Sequence, residues 1–194
     1  MLTRRTRTIA LCALTGALAL ALVPVQAQQG QTRYSAFAVD MTGIMGGTSA
    51  TLDLVITRWA TAEENTKVMT ILGEQGAGKL LEYLRQAPRV GGISVPGRLG
   101  LDIRFARRTV NSSGAEQVLM LADRPIGPGE AADRSRSLDY PFTLVELKLN
   151  SAGKGEGSIV LAAKIGMDRF TKGLVLENIV DQPIRLQSVT REVK

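Results

Sequence analysis

The sequence predicts a mainly antiparallel β fold, a barrel or a sandwich of about eight strands, with a short helical pair inserted after the second strand. Most of the chain consists of short segments in which apolar and polar residues alternate, as they do in half-buried strands. Short turns join most of these segments, and strands joined by short turns run antiparallel. An α+β fold is the alternative, because helices confined to one place beside consecutive hairpins are also typical of that class.

Two expected strands begin the fold. YSAFAVDMTGIM ends at a glycine pair and TSATLDLVITRWA follows it, so the two segments predict a hairpin. In the second segment Leu52, Leu54 and Ile56 share one face, as period-two alternation requires.

The helical pair comes next. In the segment TAEE, Thr61 can cap a helix while Glu64, three residues later, bonds back to the cap. Apolar residues at helical spacing then predict a short amphipathic helix, and a second helix, KLLEYLRQA, stops before Pro88.

The glycines between these helices imitate a nucleotide-binding loop. Gly73, Gly78 and Lys79 match its first seven positions, but Leu80 stands where a serine or threonine would hold magnesium. A helix cap, and no strand, precedes the segment. We therefore predict a turn between two helices and no nucleotide binding.

The remaining chain predicts strands only. Leu99, Leu101, Ile103 and Phe105 alternate within LGLDIRFARRTV and are expected on one face. The later expected strands are AEQVLMLADRPI, YPFTLVELKLN, SIVLAAKIG, GLVLENIV and PIRLQSVTREV.

The N-terminus predicts export. Residues 1–27 have a charged start, an apolar run and small residues at Val25-Gln26-Ala27, which is typical of a cleaved secretory signal. Residues 28–33 are expected to form a flexible leader and residues 34–194 a single domain. No second long apolar run follows, so we expect no transmembrane span in the mature chain and a periplasmic or secreted location.

Composition excludes several kinds of site. The chain has no histidine, and its one cysteine, Cys12, lies in the signal segment. Histidine-based triads, zinc sites and disulfides are thereby excluded, and we expect no cofactor and no metal. The chain has 24 basic and 18 acidic residues, and three of the basic residues, but no acidic ones, precede residue 28. The mature chain therefore has 21 basic and 18 acidic residues and a net charge of about +3, which is too small to indicate nucleic-acid binding.

A cluster of charged residues is the candidate site for an anionic ligand. Arginine forks suit carboxylate and phosphate groups, whereas neighbouring acids are also typical of a solvated surface of mixed charge. The candidate ligand-binding residues are Arg104, Arg107, Arg108, Arg124, Asp123, Glu130 and Asp133.

Carboxylate chemistry is the enzymatic alternative. Asp123, Glu130, Asp133 and Asp139 are close in sequence, and two suitably spaced carboxylates can cleave a glycosidic bond. The chain has one tryptophan and few other aromatics for sugar stacking, and nothing in the sequence pairs two carboxylates.

The segments DRPIGPGEAADRSRSLDYPFTLVELKLNSAGKGEG and QPIRLQSVTRE resemble a group of uncharacterised exported bacterial proteins. The resemblance lies mainly in residues 123–157 and 182–192, implies a secreted bacterial domain and assigns no site residue. We expect a non-catalytic exported domain that binds a protein, an envelope component or a small ligand. A carboxylate-dependent hydrolase of the envelope or of polysaccharide is the alternative.

Overall fold

The computed structural model describes residues 30–39, 49–94, 100–124, 141–167, 174–178 and 183–192. Two helices lie in this part of the chain, α1 (Ala62–Thr70) and α2 (Ala77–Gln86), and a π-helical turn (Ile71–Gln75) joins them. Neither helix is long and apolar enough to cross a membrane. The strands are β1 (Thr32–Val39), β2 (Ser49–Ile56), β3 (Gly91–Ser94), β4 (Leu101–Ile103), β5 (Phe105–Val110), β6 (Glu116–Ala122), β7 (Phe142–Leu149), β8 (Lys154–Met167), β9 (Leu174–Asn178) and β10 (Ile184–Glu192).

The strands form one antiparallel sheet. Their order is β4-β3-β2-β1-β10-β8-β7-β6-β5, and β9 pairs with the second half of β8. The first and last strands, β1 and β10, are therefore neighbours. This architecture confirms the predicted antiparallel β fold and the helical pair after the second strand.

The sheet curves into a nearly closed barrel. Arg104 alone separates β4, which pairs with β3, from β5, which pairs with β6. The Arg104 backbone N–H donates to the carbonyl of Leu121 on β6 (2.9 Å), and the N–H of Val90, before β3, donates to the carbonyl of Ile103 (2.9 Å). The two ends of the strand path therefore meet at Arg104.

Two apolar clusters fill the fold. The larger occupies the barrel interior and includes Leu54, Ile103, Met120 and Leu147, all buried. The smaller lies between the helical pair and the outer face of β5–β8, where strand residues such as Phe142 meet the helices. The barrel core covers one face of β7 and the helical pair covers the other, so its first four residues are all buried. In a strand with one solvent-exposed face, every second residue would be exposed.

The bend at Arg104 corrects one expectation. Phe105 does not share a face with Ile103: it packs with the helices, and the next residue, Ala106, points into the barrel. A strand that turns a barrel corner changes which residues face inward, so simple alternation fails across the bend.

The predicted capping box is confirmed. Thr61 Oγ1 accepts from the Glu64 backbone N–H (3.2 Å), and the Glu64 carboxylate accepts from the Thr61 N–H (2.9 Å). The glycine-containing segment that resembles a nucleotide loop forms the π-helical turn and the start of α2, with Gly76 at φ 83°. No strand precedes it, since α1 does.

Candidate ligand-binding groove

A groove of about 300 Å³ lies where the helical pair meets the β4–β5 bend. Its walls come from three parts of the chain: residues 58–67, after β2 and in α1; residues 83–90, in and after α2; and residues 104–106, at the strand bend. Charged, aromatic and apolar side chains share the lining, as in most small-molecule sites. The lining residues are Arg58, Ala60, Glu64, Lys67, Tyr83, Gln86, Ala87, Pro88, Val90, Arg104, Phe105 and Ala106.

Arg104 forms the strand side of the groove. Its Nη1 donates to the carbonyl of Ala87 at 3.4 Å, its Nε lies 3.5 Å from Asp123 Oδ2, and its Nη2 lies 3.9 Å from Asp102 Oδ2. All three contacts are longer than the roughly 2.7–2.9 Å of a strong charge-assisted hydrogen bond. Within the described structure the buried Nε has no hydrogen-bond partner, so this guanidinium is held loosely.

Arg58 and Glu64 form a second wall. Arg58 Nη1 donates to both carboxylate oxygens of Glu64, at 3.0 and 2.7 Å, and the same carboxylate caps α1. The hydrogen bond from Arg58, helped by the Thr61 backbone N–H and opposed by burial, lowers the pKa of Glu64. Glu64 is therefore an anion whose charge Arg58 offsets.

Lys67 and Tyr83 complete the helical side. The Lys67 ammonium lies 4.8 Å from the centre of the Tyr83 ring, which is a cation–π contact. Among the described residues no carboxylate lies within ion-pair distance of Lys67. Lys67 is exposed, so its charge faces solvent at the groove.

The structure distributes the predicted site residues over several places. Arg104 and Asp123 come together, as described above. Arg107 and Arg108 are on opposite faces of β5: Arg107 lines a small apolar space under the helices, whereas Arg108 bonds to Glu116. Arg124 donates to the carbonyl of Gly100 (3.1 Å) and is exposed. Three predicted carboxylates lie outside the described residues: Glu130, Asp133 and Asp139.

A buried polar cluster at the end of the barrel was not predicted. Glu116, with 1% of its side chain exposed, accepts from Arg108 Nε (3.0 Å) and Nη2 (3.1 Å), from Arg191 Nη1 and from the Tyr34 hydroxyl. The inward alternation of β6 places Glu116 at the first position of the Val118 and Met120 face, a signal that the sequence does contain. We call these four residues, Tyr34, Arg108, Glu116 and Arg191, the Glu116 cluster.

A β-bulge in β10 brings Arg191 into this cluster. Leu186 faces the barrel, but two residues of β10 then oppose one residue on each neighbouring strand, so that Val189 is the next inward residue and Arg191 the one after it. Ser188 at the bulge has φ 52°, a left-handed conformation that is rare outside glycine.

No group of three or more potential metal ligands occurs in the part of the chain that the structure describes. The groove instead places the Arg104 guanidinium, the Lys67 ammonium group and the Tyr83 ring around a space of small-molecule size. Comparison with protein-family models, curated proteins and solved structures gives no match for this chain.

Proposed function

We propose that the protein is an exported, non-catalytic bacterial domain that binds a small ligand in the groove between the helical pair and the barrel. The proposal rests on one observation: a space of about 300 Å³ in which side chains from three separate segments converge. A volume of that size lies at the lower end of the range of small-molecule sites. The N-terminal signal segment and the resemblance to exported proteins support the expected location in the periplasm or medium.

The carboxylates near the groove favour binding over hydrolysis. A general acid must hold a proton near neutral pH, and this requires a raised pKa. The pKa of Glu64 is instead lowered by its hydrogen bond from Arg58. Asp123 lies 3.5 Å from the Arg104 guanidinium, so it is engaged in an ion pair.

Trp59 provides the test of ligand binding. It is the single tryptophan of the chain and lies between Arg58 and Ala60, both of which line the groove. We expect a screen of small fragments against residues 28–194 to find ligands that change Trp59 fluorescence saturably. Substitution of Tyr83 by Ala should weaken those ligands, whereas Tyr34→Phe, outside the groove lining, should not. A screen in which no fragment binds would contradict the proposal.

The hydrolase alternative is tested separately. Mature protein is assayed against glycan and ester substrates, and Asp123, Glu130, Asp133 and Asp139 are changed singly to the corresponding amides. A binding domain gives no turnover. Turnover that one such substitution lowers by about 10²-fold or more would establish an acid–base role and overturn the proposal.

Export has its own test. Protein recovered from the periplasm or medium of a bacterial host should begin near Gln28, because the small residues before it suit signal peptidase. An intact N-terminus at Met1 would contradict export.

A further inference from the structure

We infer that the ligand of the groove is a small organic oxyanion, whose carboxylate or phosphate group binds to Arg104 and Lys67 while a flat apolar part lies against Tyr83 and Pro88. This inference rests on the proposed function and names its ligand class. It goes beyond the arginine cluster that the sequence indicated, because Lys67 and Tyr83 come from the helices and Pro88 follows α2.

The contacts of Arg104 leave it able to bind an anion. A guanidinium carries five N–H donors in a planar fork that fits a carboxylate or phosphate. In this protein its described contacts are one 3.4 Å hydrogen bond, to Ala87, and two ion pairs at 3.5 and 3.9 Å, to Asp123 and Asp102. With 24% of its side chain exposed, it remains accessible from the groove. An oxyanion would give it shorter bonds without breaking strong ones.

Lys67 adds a positive charge to the groove. Arg58 and Glu64 neutralise each other through a two-oxygen contact. Asp102 and Asp123 lie near Arg104, and Asp102 also pairs with Arg89 at 3.0 Å. Lys67 has no carboxylate within ion-pair distance among the described residues, and its described partner is the ring of Tyr83. An anionic ligand supplies the countercharge that Lys67 lacks.

The remaining lining selects an organic anion over an inorganic one. Pro88, which is exposed, and the partly exposed Ala60 and Ala87 contribute apolar surface, and the Tyr83 ring offers a flat face. Removal of apolar ligand surface from water contributes about 25 cal/mol per Å². An ion without such a surface, such as inorganic phosphate, would gain only the charge interactions.

Four matched probes test the charge of the ligand: benzoate, phenyl phosphate, benzyl alcohol and benzylamine. Binding to residues 28–194 is followed by titration calorimetry and by Trp59 fluorescence. We expect both anions to bind at least about tenfold more tightly than benzyl alcohol, and benzylamine to bind more weakly still, because its charge is repelled. The ratio of the two anions then distinguishes a carboxylate from a phosphate ligand, and either result supports the inference.

Lys67→Gln tests the ammonium group. The side chain is exposed, so the variant should fold normally while anion affinity falls about five- to tenfold. Lys79→Gln is the matched control, because Lys79 is exposed on α2, pairs with Glu82 and lies outside the groove lining. Equal affinity in both variants would place the anion elsewhere and overturn the inference.

Arg104→Lys tests whether the planar guanidinium group of Arg104 binds the anion. It keeps the positive charge next to Asp123 but replaces planar two-point recognition by a single ammonium group, so anion affinity should fall about tenfold or more. Arg85→Lys, an exposed position on α2 outside the groove lining, is the control and should bind as the parent does. Thermal unfolding of each variant checks that it is folded.

The outcomes separate the two proposals. If neutral or cationic probes bind in the groove and the anions do not, the ligand class is wrong and the groove remains a ligand site. If none of the four probes binds and the fragment screen also fails, both proposals are wrong.

Discussion

At the scale of single residues, the Glu116 cluster shows how a charge can be buried in the barrel. An unpaired carboxylate in an apolar interior is very costly. Glu116 avoids this cost because its two oxygens accept from two guanidinium groups and one hydroxyl. The partners come from β1, β5 and β10, whereas Glu116 begins β6.

The first prediction concerns Tyr34, which is fully buried and donates its hydroxyl to Glu116. Tyr34→Phe should lower the free energy of unfolding by about 1.5–3 kcal/mol, as expected for loss of a hydrogen bond to a charged group. Urea unfolding measures the change. Tyr83→Phe is the control and should change stability far less, since the described contact of Tyr83 is made by its ring. Equal losses of stability in the two variants would show that the hydrogen bond from the Tyr34 hydroxyl to Glu116 does not stabilise the fold.

The second prediction concerns the segment that resembles a nucleotide loop. Lys79 is exposed near the start of α2 and pairs with Glu82 at 2.8 Å. Because an exposed ion pair contributes little, Lys79→Ala should change the free energy of unfolding by less than about 1 kcal/mol. The parent protein should show no saturable ATP binding in calorimetry. ATP binding that the substitution removes would reverse this interpretation.

At the scale of elements, two neighbouring hairpin turns have the same construction. In NSSGA (111–115) and NSAGK (150–154) the asparagine Oδ1 accepts from two backbone N–H groups, two and four residues later. The glycine has positive φ in both turns, 79° at Gly114 and 74° at Gly153. Asparagine and glycine are the residues that such turns favour, so these two turns follow directly from local sequence.

The third prediction compares two glycines that differ in their surroundings. A Cβ atom on Gly155, in β8, would overlap the carbonyl oxygen of Lys148 on the adjacent strand. Gly155→Ala should therefore lower the free energy of unfolding by at least about 3 kcal/mol or reduce the yield of folded protein. Gly78→Ala in α2 meets no atom within 4 Å and should stabilise by about 0.5–1 kcal/mol. Similar effects of the two substitutions, measured by urea unfolding, would contradict the strand packing.

The fourth prediction concerns the bulge in β10. Ser188 has φ 52°, and a left-handed conformation costs a residue with a side chain roughly 1–2 kcal/mol. Ser188→Gly should relieve this cost and, after allowance for glycine's greater freedom in the unfolded chain, stabilise the protein by about 0.5–1 kcal/mol. Gln187→Gly, at a neighbouring position without positive φ, should destabilise it. If thermal unfolding shows both variants destabilised, the bulge is not strained.

At the scale of the whole molecule, the Glu116 cluster joins parts of the chain that are far apart in sequence. Tyr34 and Arg191 lie on β1 and β10, which are adjacent in the barrel, and both reach the β5–β6 hairpin through Glu116. The cluster therefore supports the closed arrangement of the barrel at one end.

The fifth prediction is an alkaline loss of stability that depends on this cluster. Burial raises the pKa of Tyr34 above its ordinary value, and the hydrogen bond to Glu116 raises it further, while Arg108 and Arg191 act in the opposite direction. Above a pH of about 10 the unfolded chain releases the Tyr34 proton, whereas the folded protein retains it. Protonated Tyr34 thus contributes stability that is fully present below about pH 10 and falls as pH rises.

Urea unfolding at pH values of about 9, 10 and 11 measures this contribution in the parent and in Tyr34→Phe. We expect the free energy of unfolding to fall more steeply in the parent, because the variant has no proton to release at this position. Identical slopes would show that Tyr34 titrates in the same way in both states.

Several features follow from sequence because they depend on neighbours within a few residues. The alternation of β2, the Thr61–Glu64 capping box and the turn between the helices are set by local spacing, and each follows the sequence prediction. The antiparallel direction of neighbouring strands also follows from the sequence, because strands that are joined by a short turn must run in opposite directions. Composition acts in the same direct way, because a chain without histidine, and with its one cysteine at position 12, lacks the side chains that whole classes of chemistry require.

What only the tertiary structure decided depends on residues distant in sequence. Simple alternation places Phe105 on the same face as Ile103, but the bend at Arg104 puts the two residues on opposite faces. Simple alternation along β10 would also point Arg191 outward, but the bulge at Ser188 turns it into the barrel. Likewise, the sequence grouped Arg104 with nearby arginines, whereas the fold placed it in the lining of the same groove as Lys67. The physical reason is that a barrel must shift register to close, and where it shifts depends on packing between strands that local periodicity does not encode.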